Sequence, residues 1–299
     1  MQIANAPCSW GILEFEETAE RPSAYSKVLD EIAATGYSGT ELGDWGFMPT
    51  DPHQLRAELD RRKLAMLGAF VPIKLASEPA HGPGIDTAVR TAKLLAATGG
   101  ASPVLVLADD SGTDPNRIAR AGRIVKADSL STADWSTFAR GAEAVARAVR
   151  DETGLRTVFH PHCAGFVETP WEIDELMRRT DPSLVGLCYD TGHISFGGGD
   201  PMKVLQAYQS RIWHVHFKDF NPDAFAQTRA QSLDYTGAIR LGIFCELGEG
   251  NVDFPSVLQE LRRAHYDGWI VVEQDVLPGM GAPAESARRN REYLRQIGA

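Results

Sequence analysis

The chain alternates short apolar runs with longer stretches of helical periodicity over its whole length. Short runs rich in Val, Ile and Leu are typical of buried strands, and the amphipathic stretches between them are typical of helices. The predicted strands are residues 3–6, 39–42, 65–71, 103–108, 157–160, 185–189, 212–216 and 269–272. The predicted helices are residues 25–35, 51–62, 87–98, 132–152, 170–179, 201–208 and 254–264. This alternation predicts an α/β fold with parallel strands joined by helices.

Eight strand–helix units in 299 residues, with no break in composition, favour one closed (β/α)8 TIM barrel over a doubly wound sheet. We expect this barrel to be a single domain spanning residues 1–299. No GxGxxG motif follows the first predicted strand, which argues against a dinucleotide-binding fold. Functional groups of a TIM barrel lie at the C-terminal ends of its strands. We therefore expect the catalytic residues at those ends.

The composition indicates which partners the chain can have. A formal net charge of −10 and a pI near 5.3 argue against nucleic acid, which is bound through clustered Lys and Arg. A small polyol or keto-sugar fits better. No apolar stretch approaches the ~18 residues of a membrane span, and no targeting segment is evident. We expect a cytoplasmic protein with no membrane partner, and a homo-oligomer is possible.

Ligands typical of a divalent cation follow three of the predicted strands. Asp190 and His216 lie at the ends of the sixth and seventh strands, and Glu273 follows the eighth. Carboxylate oxygens and neutral imidazoles bind such cations, and a catalytic site needs three or four of them. Each residue alone is explained as well by a helix cap, a core histidine or a surface acid. Their repetition at strand ends favours a metal site.

Strand periodicity adds more polar residues to the same end of the barrel. Residues two apart on a strand face the same side. On the seventh strand this places His214, His216 and Lys218 on one face, and on the fifth it pairs His160 with His162. Imidazoles and an amine facing inward are costly to bury unless they are used or paired. Both strands are therefore expected to contribute to a site.

The segments Asp190-Thr-Gly-His193 and His216-Phe-Lys-Asp219, together with Glu273, resemble a known superfamily. This is the sugar phosphate isomerase/epimerase superfamily, also called the xylose isomerase-like or AP endonuclease family 2 TIM barrels. The resemblance spans nearly the whole chain.

Within the superfamily, the inosose dehydratase branch is the most similar. The stretch His160-Pro-His162, the segment 242–254 and a long region at 221–245 carry this likeness. It implies a metal-dependent lyase that dehydrates an inosose-like cyclic keto-polyol in inositol catabolism, a branch of carbohydrate metabolism. A sugar or keto-inositol isomerase or epimerase is the alternative. A DNA-repair endonuclease and a non-catalytic sugar-binding protein are disfavoured, by the acidic charge and by the clustered ligands respectively.

The resemblance also implies one divalent ion, manganese, cobalt, magnesium or zinc. Its ligands would be Asp190, His216, Glu273 and a fourth residue from the fifth strand. That fourth position is normally a glutamate in the superfamily, and here it is a histidine. His160 is the closest match to that position, with His162 as the alternative.

Loss of the strand-five glutamate favours a lyase. Isomerases and epimerases of the superfamily are expected to use two opposed glutamates, whereas dehydration needs one base. The candidate bases are Lys218, His162 and Glu273. A neighbouring dication and burial are expected to lower the pKa of Lys218. The alternatives are an ion pair of Lys218 with Asp219 or Glu249, or binding of Lys218 to a substrate oxygen.

Four residues are expected to contact the substrate: Trp10, Glu41, His193 and Glu249. Glu41 would accept a hydrogen bond from a substrate hydroxyl. Trp10, with Trp45 and Phe47, would form an apolar wall against the C–H face of the ring. Simple packing is the alternative role for these aromatic residues.

Overall fold

Nine strand segments form one parallel sheet in the computed structural model, which describes residues 1–12, 24–98, 102–277 and 279–299. The segments are Gln2–Asn5, Gly39–Thr40, Ala65–Met66, Gly68–Ile73, Val104–Asp109, Arg156–Phe159, Val185–Asp190, Ile212–Phe217 and Trp269–Val272. The third and fourth are separated by one residue, so we treat them as one strand and number the strands one to eight in chain order.

Strand three closes the sheet into a barrel. Its two segments lie at opposite ends of the strand order, one beside strand two and the other beside strand four. Leu67 joins them, because its N–H donates to the carbonyl of Thr40 and its carbonyl accepts from the N–H of Val104. The predicted (β/α)8 barrel is confirmed.

Helices surround the sheet. The α-helices are Tyr25–Ala34, Pro52–Arg62, Glu78–Thr98, Pro115–Arg120, Thr132–Thr153, Pro170–Arg179, Thr191–Phe196, Pro201–Tyr208, Pro222–Gln231, Tyr235–Arg240, Phe254–Arg263 and Pro283–Gln296. Several begin at an N-cap aspartate followed by proline, as at Asp51, Asp114 and Asp200. This arrangement satisfies the first backbone amides of a helix. Among the described residues, no helix combines the length and apolarity needed to cross a membrane.

Strand residues divide between two apolar layers. On strand four, Leu105 and Leu107 belong to the main core cluster, which includes helix residues such as Val145. Val104 and Val106 instead join a small cluster with strand neighbours. Alternate residues of a strand face opposite sides, so the main cluster packs sheet against helices and the small one fills the barrel. This filling supports the polar residues at the strand ends.

An extension follows strand seven. Two short segments, Asp219–Phe220 and Phe244–Cys245, pair antiparallel and enclose the helices Pro222–Gln231 and Tyr235–Arg240. The Asp219 carboxylate accepts hydrogen bonds from the backbone N–H groups of Phe220, Gly248, Gly250 and Val252. Asp219 therefore ties the extension to the loop that leads into the next helix.

Candidate active site

The four predicted metal ligands lie together at the C-terminal ends of strands five to eight. Asp190 ends strand six and is in register with His216 on strand seven. His160 and Glu273 directly follow strands five and eight. One ligand atom from each of the four residues lies within 4.8 Å of all the others. His160, and not His162, is the strand-five residue in this cluster.

The cluster contains buried polar atoms that have no hydrogen-bond partner among the described residues. They are Nδ1 of His160, Oδ2 of Asp190 and Nδ1 of His216. The His216 Nδ1 lies 3.7 Å from Asp190 Oδ2 and 3.3 Å from Glu273 Oε1. Unsatisfied buried polar atoms are costly, and two imidazoles with two carboxylates suit a divalent cation. The residues present therefore fit the metal ion that the resemblance implies.

The electrostatics keep both carboxylates of the cluster ionised. Burial raises the pKa of Asp190, but His193, His160, His216 and Lys218 outweigh burial and hold it well below its usual value. Burial likewise raises the pKa of Glu273, and His216 and Lys218 lower it by more. The anionic form is the one that binds a cation.

Glu41 contacts the cluster from strand two. Its Oε1 accepts hydrogen bonds from Nε2 of His214 at 2.6 Å and from Nε2 of His216 at 3.0 Å. Burial raises the pKa of Glu41, but the two histidines outweigh it and lower the pKa to about 2. The predicted common face of His214 and His216 is confirmed by this shared partner.

Lys218 lies beside the cluster and is almost fully buried. Its Nζ is 3.2 Å from Glu273 Oε2, 3.1 Å from Asp275 Oδ1 and 3.3 Å from His193 Nε2. Burial lowers the pKa of Lys218, but the carboxylates of Asp275 and Glu273 raise it well above its ordinary value. The expected lowering concerns the metal-loaded protein and stays a prediction.

The ion-pair partners of Lys218 differ from the prediction. Asp219 instead binds backbone amides, and the exposed Glu249 has Arg289 as a charged neighbour. Asp275 is a partner that the sequence reasoning missed. Its position two residues after Glu273 was the available signal, but no strand extends that far to give it a periodic context.

His162 and His193 lie side by side next to the cluster, with ring centroids 4.0 Å apart. The carbonyl of Cys163 lies 2.7 Å from Nδ1 of His162, which therefore carries the ring proton. The N–H of Cys163 donates to Nδ1 of His193 at 3.2 Å, which leaves the proton of that ring on Nε2. Burial lowers the pKa of His162 to about 3 and that of His193 well below its usual value. Both rings are neutral.

The extension after strand seven supplies aromatic side chains to this region. The ring of Phe244 lies 4.9 Å from that of His193, and Lys218 Nζ lies 4.7 Å from the centroid of Phe244. Tyr235 lies 5.6 Å from the ring of His162. The sequence indicates this extension by the length of the 221–245 region, but it does not predict the position of these two aromatic residues.

The three aromatic residues of the predicted wall each contact a different part of the molecule. Trp10 is buried and donates its indole N–H to Glu31 at 2.6 Å, and Phe47 is buried in the main core. Trp45 is partly exposed and stacks under Arg90 at 4.3 Å. These contacts are packing contacts, which was the alternative role.

A buried ion pair supports the loop after strand five. Arg117 donates to both carboxylate oxygens of Glu172, at 3.0 and 2.9 Å, and to the carbonyl of Gly165 at 2.6 Å. Glu172 also accepts from the backbone N–H groups of Glu168 and Thr169. Loop 161–169 carries His162, so this pair holds one side of the site. The sequence offered no signal for it, because its partners are 55 residues apart.

Comparison with known proteins agrees with this geometry. The family model described as xylose isomerase-like TIM barrel matches residues 29–297. The inosose dehydratase of Geobacillus kaustophilus (strain HTA426) is 31% identical, over 99% of this chain and 94% of the relative. The inosose dehydratase of Lacticaseibacillus casei is 30% identical, over 98% of this chain and 96% of the relative.

Solved structures share the fold at lower identity. The 3-keto-D-glucoside 4-epimerase YcjR from E. coli has a TM-score of 0.70 at 17% identity, covering 99% of both chains. The IOLI protein, whose structure holds a zinc atom, has a TM-score of 0.70 at 15% identity, covering 99% of this chain and 98% of that one. At such identities the likeness establishes the barrel fold alone.

Proposed function

The chain belongs to the xylose isomerase-like TIM-barrel family, and from this we propose that it is a metal-dependent hydro-lyase that removes water from an inosose-like cyclic keto-polyol. The observation that carries the proposal is the imidazole of His160 in the ligand cluster. Isomerases and epimerases of the family are expected to have a glutamate at that position. Relatives named inosose dehydratase, matching over nearly the full length, support the same choice.

We propose that His160, Asp190, His216 and Glu273 hold one divalent ion, with manganese, cobalt, magnesium and zinc as candidates. When bound, such an ion withdraws electron density from a ketone oxygen and acidifies the adjacent C–H. The anionic Asp190 and Glu273 would offset the charge of the ion. The four side chains are buried, and burial strengthens electrostatic interactions among them and with a bound ion.

We assign the proton transfer to Nζ of Lys218. Of the three candidate bases it is the strongest, because the pKa of His162 is about 3 and that of Glu273 is lowered. A divalent ion in the cluster would repel the ammonium and lower the pKa of Lys218, and the Nε2–H of His193, 3.3 Å away, would then donate to the neutral amine. The carboxylates of Glu273 and Asp275 stabilise the ammonium that forms when Nζ takes a proton. A group that first accepts a proton and then returns it must be stabilised in both its neutral and its protonated form.

In the proposed reaction, every atom of the substrate ends in the dione or in one water molecule. Nζ takes the proton from the carbon beside the ketone, and the electron pair of that C–H bond forms a carbon–carbon double bond as the β-hydroxyl departs. The Lys218 ammonium returns a proton to the departing oxygen, which leaves as water. The remaining enol tautomerises to a dione. We place this activity in inositol catabolism, in the cytoplasm.

The test is an assay with scyllo-inosose after the protein is stripped by a chelator and reloaded with each candidate metal. Dione formation is followed by ultraviolet absorbance in the wild type, Asp190→Ala and Asp253→Asn. Asp253 is an exposed helix cap outside the cluster, so its variant is the matched control. We expect product with the wild type and the control only, and only after metal is added.

A different outcome would select the alternative function. If metal binds and no water is eliminated, while solvent deuterium enters a keto-sugar or keto-inositol, the protein is an isomerase or epimerase. The argument from the strand-five histidine would then be wrong.

A further inference from the structure

Glu41 is placed to act on His216 and not on a substrate. Its side chain is 4% exposed, and a single oxygen, Oε1, accepts from both His214 and His216. The backbone of strand three lies close by, since a Cβ on Gly68 would be 3.5 Å from that oxygen. A carboxylate enclosed in this way has fixed partners inside the barrel.

The contact determines which nitrogen of His216 carries the proton. An imidazole that binds a metal ion has one N–H left, and Oε1 of Glu41 accepts it from Nε2 at 3.0 Å. The Nδ1 then carries the lone pair. That atom lies between Asp190 and Glu273 and has no hydrogen-bond partner among the described residues. The lone pair therefore faces the ligand cluster.

From these contacts we propose that Glu41 is a positioning residue, which holds His216 as the Nε2–H tautomer with Nδ1 directed at the metal. The inference rests on the proposed metal site and assigns Glu41 a role different from the predicted substrate contact. A carboxylate behind a ligating histidine fixes the orientation of the ring and raises its basicity as a ligand. His214, which also lies on strand seven, donates its Nε2–H to the same oxygen and helps to hold Glu41 in place.

The test uses metal affinity and histidine tautomers, both measured without substrate. Glu41→Leu removes the acceptor, and Glu41→Gln keeps the shape while removing the charge. Affinity for Mn²⁺ is measured by competition with a chelator on the metal-free full-length protein. Loss of a residue of this kind typically weakens metal binding about 10–100-fold, and we expect a loss in this range for Glu41→Gln.

A second readout identifies the tautomer directly. Two-bond 1H–15N NMR spectra of histidine-labelled protein distinguish protonated from unprotonated ring nitrogens. In the Zn²⁺-loaded protein we expect the His216 signals to show a single Nε2–H form in the wild type and loss of that single form in Glu41→Gln. Glu292→Gln is the matched control, since it makes the same change in an exposed carboxylate on the last helix, and its Mn²⁺ affinity should stay within about threefold of the wild type.

Two results would overturn the inference. One is a folded Glu41→Gln with wild-type Mn²⁺ affinity and an unchanged His216 tautomer. The other is a raised KM for the keto-polyol with both metal readouts unchanged, which would restore the predicted substrate contact. If Glu41→Leu fails to fold, the Gln variant still decides. Because neither metal readout needs turnover, failure of the dehydratase assignment would appear separately.

Discussion

Removal of Arg117 should destabilise the protein strongly, although this residue lies outside the ligand cluster. Arg117→Met deletes the guanidinium and keeps an apolar stem of similar length. It leaves Glu172, which is 0% exposed, without its only cationic partner among the described ion pairs. It also leaves the carbonyl of Gly165 without its side-chain donor. An uncompensated charge is thereby buried.

The expected magnitude follows from this burial. Removing one member of a buried ion pair typically costs about 3–5 kcal/mol. Three other hydrogen bonds to Glu172 Oε2 remain, from two backbone amides and the Thr169 hydroxyl. These favour the lower part of the range, so we expect a loss of about 3 kcal/mol. In a chain of this length that lowers the Tm by roughly 5 °C.

The assay is denaturant unfolding of the metal-free protein, compared across a double-mutant cycle. The cycle contains Arg117→Met, Glu172→Leu and the double variant, and its coupling energy should be ~2–3 kcal/mol. The surface pair Arg178–Glu175 is the matched control, because Arg178 is largely exposed. Arg178→Met should cost less than about 1 kcal/mol. A loss below 1 kcal/mol for Arg117→Met, or no coupling in the cycle, would refute the reasoning.

Three further predictions concern other parts of the molecule. Lys218→Met and Lys218→Arg should both lower kcat about 10²–10⁴-fold and abolish exchange of the substrate proton with solvent deuterium; an active Arg variant would show that only charge is needed. Burial raises the pKa of Glu168 from 4.5 to about 7, so its contribution to stability is complete below about pH 4.5 and is lost as the pH rises through 7. The unfolding free energy of the wild type should therefore fall as the pH rises from about 4.5 to 7. Its slope should be steeper than that of Glu168→Gln by up to about 1.4 kcal/mol per pH unit, and equal slopes would contradict this. Gly250→Ala should lower the unfolding free energy by about 1–3 kcal/mol, because the new Cβ would clash with the Asp219 carboxylate and the Phe220 carbonyl; Asn251→Ala, at an exposed neighbour, is the control, and equal stabilities would contradict the clash.

The barrel was predictable because buried parallel strands leave a strong local signal. All eight predicted strands overlap observed ones, and the three ligands first identified lie at the C-terminal ends of strands six to eight as expected. Helix Glu78–Thr98 was predicted to begin only at residue 87. Its first turns contain Pro79, Pro83 and two glycines, which normally disfavour a helix. Helix Pro283–Gln296 was not predicted at all.

The supporting contacts of the site could not be predicted in the same way. The sequence suggests Asp219, the next residue, as a partner of Lys218. The observed partner, Asp275, lies 57 residues away. Glu41 was correctly placed at the end of strand two, but its distance from His216 depends on closure of the barrel, which brings together residues 175 positions apart. Such contacts arise from the packing of distant loops, and local sequence patterns do not predict them.

The most direct test of the central claim is anomalous X-ray diffraction from crystals of the protein loaded with Mn²⁺. The account predicts one anomalous peak, bound by His160, Asp190, His216 and Glu273, and its loss in Asp190→Ala. A peak at Glu41, His214 and His216, or at His160, Cys188 and His216, would contradict it, because those groups also bring potential ligands within reach of one another.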